Sequence, residues 1–189
     1  VAKRLMSLTA PLATLAEIEA AVWAELGACL HVRGHAWRQG VLATTDGTAA
    51  DARTVILREF NAESRELTAY TDARSRKVQQ IGSHPQGTLV LWSAPLGWQL
   101  RLQVQLAVET EGLAVSSRWA RLKMTPAAQD YLSPLPPGSV ITTPVPERGT
   151  REFFAVLTAR VQAVDWLELH ADGHRRAVFD ANGARWLTP

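Results

Sequence analysis

Arg53, Arg74, Arg76 and Lys77, with Ser75 among the last three, are the residues whose types and spacing point most directly to chemistry. Arg74, Arg76 and Lys77 fall in the predicted first turn of a helix opened by Asp72, where the macrodipole is positive and exposed cations typically cost about 0.3–1 kcal/mol each. Free N–H groups at a helix start form an anion site, and arginines add charge-assisted, often bidentate hydrogen bonds. A phosphate would therefore satisfy the cluster, with Arg53 closing the clamp from across a hairpin. A solvated basic helix end beside Asp72 accounts for the same residues, and this stretch alone leaves both readings open. His31 and His35 have a metal-ligand spacing but no third ligand joins them, so no metal is expected. No Ser-His-Asp set is visible, and no catalytic residue is assigned.

These residues must be positioned by strands. Arg53, Val55 and Leu57 fall on one face of an extended segment and Thr54, Ile56 and Arg58 on the other, which predicts a buried apolar row ending in a cation. Asn61 to Glu66 reads as a polar turn and Leu67 to Thr71 as the returning strand. The basic helix is predicted to turn Val78 and Ile81 inward and to end near Gly82, with Pro85 forbidding continuation. Upstream, Thr14 and Glu17 form a capping box, and Ile18, Val22, Leu26 and Leu30 recur as one apolar stripe of a helix over 15–30. Gln39 to Thr45 reads as a strand turned by Asp46-Gly47.

Gly87 to Trp92 is a continuous apolar run, which predicts a strand buried on both faces. From Trp98, polar Gln99, Arg101, Gln103 and Gln105 alternate with Leu100, Leu102, Val104 and Leu106, so the polar set must meet water, a partner or a polar ligand. Short helices are predicted from Ser116 or Ser117 and from Thr125-Pro126, followed by a proline-rich loop. Phe153 to Leu169 reads as one or two strands, and Asn182-Gly183 between Val178-Phe179 and Trp186-Leu187 as a type I′ hairpin. His84 and His170 read as surface residues.

A length of 189 residues suits one domain, and the single cysteine, Cys29, excludes an intramolecular disulfide and points to the cytoplasm. Twenty basic against eighteen acidic residues leave a net charge of +2, too little for a dedicated nucleic-acid binder. Lys3, Arg4 and the apolar run after them are interrupted by Pro11 and followed by Glu17 and Glu19, so no secretory signal is expected. No run reaches the roughly 18 apolar residues of a membrane helix.

In this order and spacing, the chain from about Val41 to the C-terminus resembles the pyridoxamine 5′-phosphate oxidase family of FMN-binding split β-barrels. The motifs that carry the resemblance are RTVILR at 53–58, YTDARSRK at 70–77, Ser83-His84-Pro85 and WQLRL at 98–102. The resemblance implies a mainly β fold, an antiparallel Greek-key split barrel with flanking helices, formed by 1–189 as one domain with 1–35 as a helical segment packed on the barrel. It implies FMN as cofactor. Arg53 would hold the phosphate, and Val55, Ile56 and Leu57 would give main-chain and apolar contacts along the flavin. Tyr70 and Thr71 would line the ribityl and ring side, while Arg76 and Lys77, supported by Ser75, would complete the phosphate cradle. Gln99 would reach the flavin from the partner subunit of a homodimer with FMN at the interface.

Arg58, counted with the cofactor-binding residues, stands where these oxidases place a lysine for their vitamin substrate, and it keeps the charge but not the shape. The Tyr, Arg and Ser pattern that grips the substrate phosphate has no counterpart within 116–139, so the resemblance stops short of implying pyridoxine 5′-phosphate oxidation. Trp166, His174 and Arg175-Arg176 match the C-terminal family pattern loosely, and core packing is expected for Trp166. The activity implied is that of a cytoplasmic FMN-dependent oxidoreductase with an open substrate. A protein that senses, stores or carries FMN or another anionic ligand without turnover is the alternative. Relatives of this barrel bind haem or deazaflavin, and the SRK turn argues against haem.

Overall fold

The computed structural model describes residues 12–142, 148–150 and 152–189. The reading of Lys3, Arg4 and the run after them lies outside the described residues. The Thr14/Glu17 capping box forms in full and starts helix α1, Leu15–Ala28, two residues shorter than the stripe suggested. Ile18, Val22 and Leu26 of that stripe enter the main hydrophobic core. A short 3₁₀ turn, Ala36–Arg38, brings in the buried Trp37 and leads to strand β1, Gln39–Thr45.

Strands β2 (Ala50–Asn61) and β3 (Glu66–Asp72) continue antiparallel from β1. Helix α2, Arg76–Ser83, then carries the chain across one end of the sheet to β4, Gln86–Ser93, which pairs with the far side of β1. The spatial order β4-β1-β2-β3 is a Greek key. β5 (Trp98–Glu109) pairs with β4, and β6 (Phe154–Glu168) pairs with both β5 and β3. Six strands thereby close into an antiparallel barrel, which removes the exposed edges an open sheet would leave. β7 (Arg175–Asp180) and β8 (Gly183–Leu187) extend it from β6. Trp37, Trp98 and Trp166 are among the most completely buried side chains of the interior.

Several local expectations are corrected. In β4, Trp92 lies on the outer face and is 45% exposed, so the apolar run is buried on one face only. Helix α3, Leu113–Leu122, is capped by Gly112 with no side-chain bond, four residues before Ser116. The 3₁₀ turn Pro126–Tyr131 does begin after Thr125, with proline in its first turn. The last hairpin turns at Ala181-Asn182, one residue early, and places only Gly183 at positive φ, +98°. A type I′ turn needs positive φ at both central residues, so this turn is not type I′, and the left-handed residue is the glycine that follows it. His84 is not a simple surface residue, because a Cβ on Gly47 (φ +90°) would come within 3.0 Å of its ring. The packing of α2 against β1 thus includes the β1–β2 turn.

Candidate functional site

β3 ends in a turn in which Asp72 Oδ1 accepts from the Arg74 backbone N–H at 2.8 Å and the Asp72 carbonyl accepts from the Ser75 N–H at 3.1 Å. Ser75 is the N-cap of α2, but its hydroxyl makes no capping bond. It lies instead 3.3 Å from Thr71 Oγ1, and Lys77 Nζ donates to both oxygens, at 2.9 Å to Thr71 and 3.1 Å to Ser75. Thr71 and Ser75 are buried and Lys77 is half-buried.

Arg53 enters from β2 on the same inward face as the half-buried Val55 and the buried Leu57. Its Nη1 donates to the Leu42 carbonyl at 3.2 Å and to Thr44 Oγ1 at 2.6 Å. Its Nη2 donates to Asp51 Oδ2 at 2.6 Å and to Gln80 Oε1 at 3.3 Å. Among the described residues its Nε–H has no acceptor. Burial pushes the Lys77 ammonium below its ordinary pKa and the Arg53 charge pushes it further, against the opposing pull of Asp72 and Asp51. Two cations thus share a partly desolvated corner with two buried hydroxyls at a helix N-terminus, an arrangement suited to a polyanionic group.

Arg74 and Arg76 are used otherwise. Helix α2 begins at Arg76, so Arg74 precedes its first turn. The Arg74 guanidinium clasps Asp72 through Nε at 3.1 Å and Nη2 at 2.7 Å, and it donates to the carbonyls of Ser133, Pro134 and Leu135 at 2.9–3.2 Å. Arg76 is exposed and pairs with Asp46 of the β1–β2 turn at 3.0 Å. The Asp46 carboxyl is held well below the usual carboxylate range, first by the Thr48 hydroxyl and by backbone donors, then by Arg76.

The other predicted residues lie apart from this corner. Ile56 is on the outer face of β2, 40% exposed. Tyr70 faces away from Thr71, as alternation requires: its hydroxyl donates to Glu59 at 3.2 Å, and its ring meets Phe154 edge-on. Arg58 sits over that ring at 5.7 Å. Gln99 is on the outer face of β5, in register with Trp92 and Leu167. One chain therefore brings together Arg53, Thr71, Ser75 and Lys77, with Val55 and Leu57 behind Arg53, and turns Ile56, Arg58, Tyr70 and Gln99 to the outside.

Residues 20–110, which hold every one of these side chains, match the family model described as "Pyridoxamine 5′-phosphate oxidase, FMN-binding domain". The closed six-stranded antiparallel barrel matches the split barrel of pyridoxamine 5′-phosphate oxidase-like proteins. It is 28% identical over 151 residues to a pyridoxine/pyridoxamine 5′-phosphate oxidase of Caulobacter vibrioides, across 73% of this chain and 67% of that one. Its fold is similar to that of a pyridoxamine 5′-phosphate oxidase-related, FMN-binding protein of Nostoc punctiforme, with TM-score 0.72, 21% identity, and 95% and 99% of the two chains covered. It is also similar in fold to PhzG of Burkholderia lata, solved with tetrahydrophenazine-1-carboxylic acid, with TM-score 0.69, 14% identity, and 100% and 99% covered.

Trp166 of this split barrel is fully buried, as expected for core packing, with the Arg175 guanidinium 5.6 Å from its ring centroid. His35 engages both ring nitrogens, Nε2 to Glu25 at 2.9 Å and Nδ1 accepting from the Trp37 N–H at 3.1 Å. Among the described residues no group of three or more His, Cys, Asp and Glu could hold a metal ion, and no helix is long and apolar enough to cross a membrane. Thr44, Asp51 and Gln80, which surround Arg53, and the Arg74 clasp carry no sequence motif. Only the β1–β2 register and the inward turn of α2 could have pointed to the first three.

Proposed function

We propose that this split barrel binds FMN and acts as a cytoplasmic FMN-dependent oxidoreductase, as a homodimer with the flavin at the subunit interface. The observation that carries the reading is the Lys77 ammonium on the Thr71 and Ser75 hydroxyls, held below its ordinary pKa by burial and by the charge of Arg53. A phosphate monoester carries about −2 charge and would relieve both stresses. Arg53 Nε–H, the Lys77 ammonium, the two hydroxyls and the N-terminal N–H groups of α2 would hold it. FMN, when bound, supplies hydride and electron transfer. The chain's own residues then bind the phosphate, fix the direction in which the flavin leaves it, and exclude water along Val55.

The dimer is supported by the outer face of β2, β1 and β4, where Ile56, Val41 and Trp92 are 40%, 43% and 45% exposed. A second copy covering this face would account both for these apolar side chains and for the outward Gln99, whose side chain has no hydrogen-bond partner among the described residues. A non-catalytic FMN-binding protein is the second reading, favoured by Arg58, which lies over Tyr70 in place of the lysine that would face a vitamin substrate.

The test is spectroscopic. Purified protein should be yellow, with flavin absorbance near one per chain, or should become so with added FMN. A colourless protein that ignores FMN contradicts both readings. Anaerobic bleaching by NADH or NADPH, with repeated reoxidation by oxygen, supports the enzyme, and a flavin inert to both nucleotides supports the binder.

A further inference from the structure

Gln80 is 3% exposed, on the inward side of α2. Its Oε1 accepts from Thr44 Oγ1 at 2.6 Å and from Arg53 Nη2 at 3.3 Å, and Thr44, also 3% exposed, accepts from Arg53 Nη1 at 2.6 Å. The orientation of the amide is fixed by its partners, because a guanidinium has only donors and must face the oxygen. Gln80 Nε2 is consequently turned away from Arg53, and it is buried with no hydrogen-bond partner among the described residues.

An orphaned buried amide is costly, and a leucine or methionine on α2 would fill the same space without that cost. Either substitution would, however, leave the buried Thr44 hydroxyl and one Arg53 Nη hydrogen without their acceptor, so it is Oε1 that the position requires. What the residue does provide is a neutral acceptor. Thr44, Gln80 and the Leu42 carbonyl hold three of the four Nη hydrogens of Arg53 without cancelling its charge, and only Asp51, at the more exposed side, brings a carboxylate. A guanidinium whose Nη hydrogens meet three neutral acceptors and a single carboxylate keeps part of its field for a ligand and presents its free Nε–H in one direction.

We propose that Gln80, through its contact with Thr44, is a positioning residue that fixes Arg53 for a phosphate group, an inference that rests on the FMN reading above. Gln80 touches no ligand in this role, and it acts on the phosphate end of the flavin alone.

The experiment is a comparison of FMN with riboflavin, which lacks the phosphate, by quenching of flavin fluorescence on wild-type protein, Gln80→Met and Gln80→Glu. Wild type should prefer FMN strongly. Gln80→Met, which removes the acceptor, should weaken FMN at least tenfold while riboflavin changes less than twofold. Gln80→Glu keeps the shape but sets a carboxylate on Arg53, and should weaken FMN at least as much. Thr44→Val adds little once Gln80 is methionine, because the two act as one unit. FMN and riboflavin weakened in parallel, or a variant that keeps the wild-type preference, overturns the inference and leaves the FMN reading standing. A wild-type protein that holds riboflavin as tightly as FMN overturns the phosphate reading and this inference with it. Should Gln80→Met fail to fold, the isosteric Gln80→Glu decides by the same ratio.

Discussion

Lys77 and Arg53, from α2 and β2, stand close enough that the guanidinium charge adds to burial in lowering the proton affinity of the lysine. The folded chain thus holds Lys77 below its unfolded pKa, so in the alkaline window between those values the unfolded state binds more protons. Stability of the ligand-free protein should rise with pH across that window. FMN acts with the opposite sign, because a bound phosphate restores the proton affinity of the lysine. Binding then takes up a proton, and FMN affinity should fall as pH rises through the same window. Titration calorimetry at several alkaline pH values should show this slope in wild type and its loss in Lys77→Met. A slope that survives the substitution would place the titrating group elsewhere.

The Arg74 clasp ties the segment after the Pro126–Tyr131 turn to the strand-to-helix turn that carries Thr71 and Ser75. Arg74→Ala strips the 5%-exposed Asp72 carboxylate of its guanidinium partner and frees three carbonyls. Hydrogen bonds to charged groups are worth about 1.5–3 kcal/mol, so a loss of that order in chemical denaturation is expected. Amide exchange should quicken in 132–142 and in the turn at 72–76 together. Faster exchange in the first segment alone would mean that the two are not coupled through Arg74.

Trp92 and Val41 present apolar side chains to the outside of a barrel whose interior is already filled. Trp92→Glu combined with Val41→Glu should leave the fold intact by circular dichroism and convert the protein to a monomer by sedimentation velocity. FMN should bind more weakly to that monomer, since Gln99 of a second copy is lost with the contact. A wild-type monomer, or a double variant that still dimerises, would contradict the assignment of this face.

The parts of this molecule governed by local chemistry were legible in the sequence. The capping box of α1 is written in Thr14 and Glu17, and the alternation from Trp98 states which face of β5 is buried. The inward row of Arg53, Val55 and Leu57 follows from strand geometry alone. The start of α3 was not legible, because Gly112 offers no side-chain cap to read. Nor was the outward turn of Trp92, since an apolar run looks the same whether its second face meets the core or stands outside it.

At the site, Ser75 and Lys77 could be read together because they stand two residues apart, whereas no spacing announces that Arg74 clasps Asp72 and a segment some sixty residues later or that Arg76 pairs with Asp46. Thr44 and Gln80 lie 36 residues apart and meet only when α2 crosses the barrel end, so no spacing rule announces them. Tyr70 and Thr71, adjacent in the sequence, face opposite sides of β3, and only the barrel shows that Thr71 alone reaches Lys77.

The account stands on the corner between Arg53 and Lys77 being a phosphate site. Its most direct measurement is the FMN-induced shift in melting temperature of wild-type protein beside Arg53→Met and Lys77→Met. Ligand binding to the native state stabilises by about 2.7 kcal/mol at one hundred times Kd, which in a chain of this size amounts to a shift of several degrees. Wild type should show that shift with FMN and a much smaller one with riboflavin, and each variant should lose the difference between the two flavins. Variants that retain the full FMN shift would contradict the assignment of the phosphate to this corner.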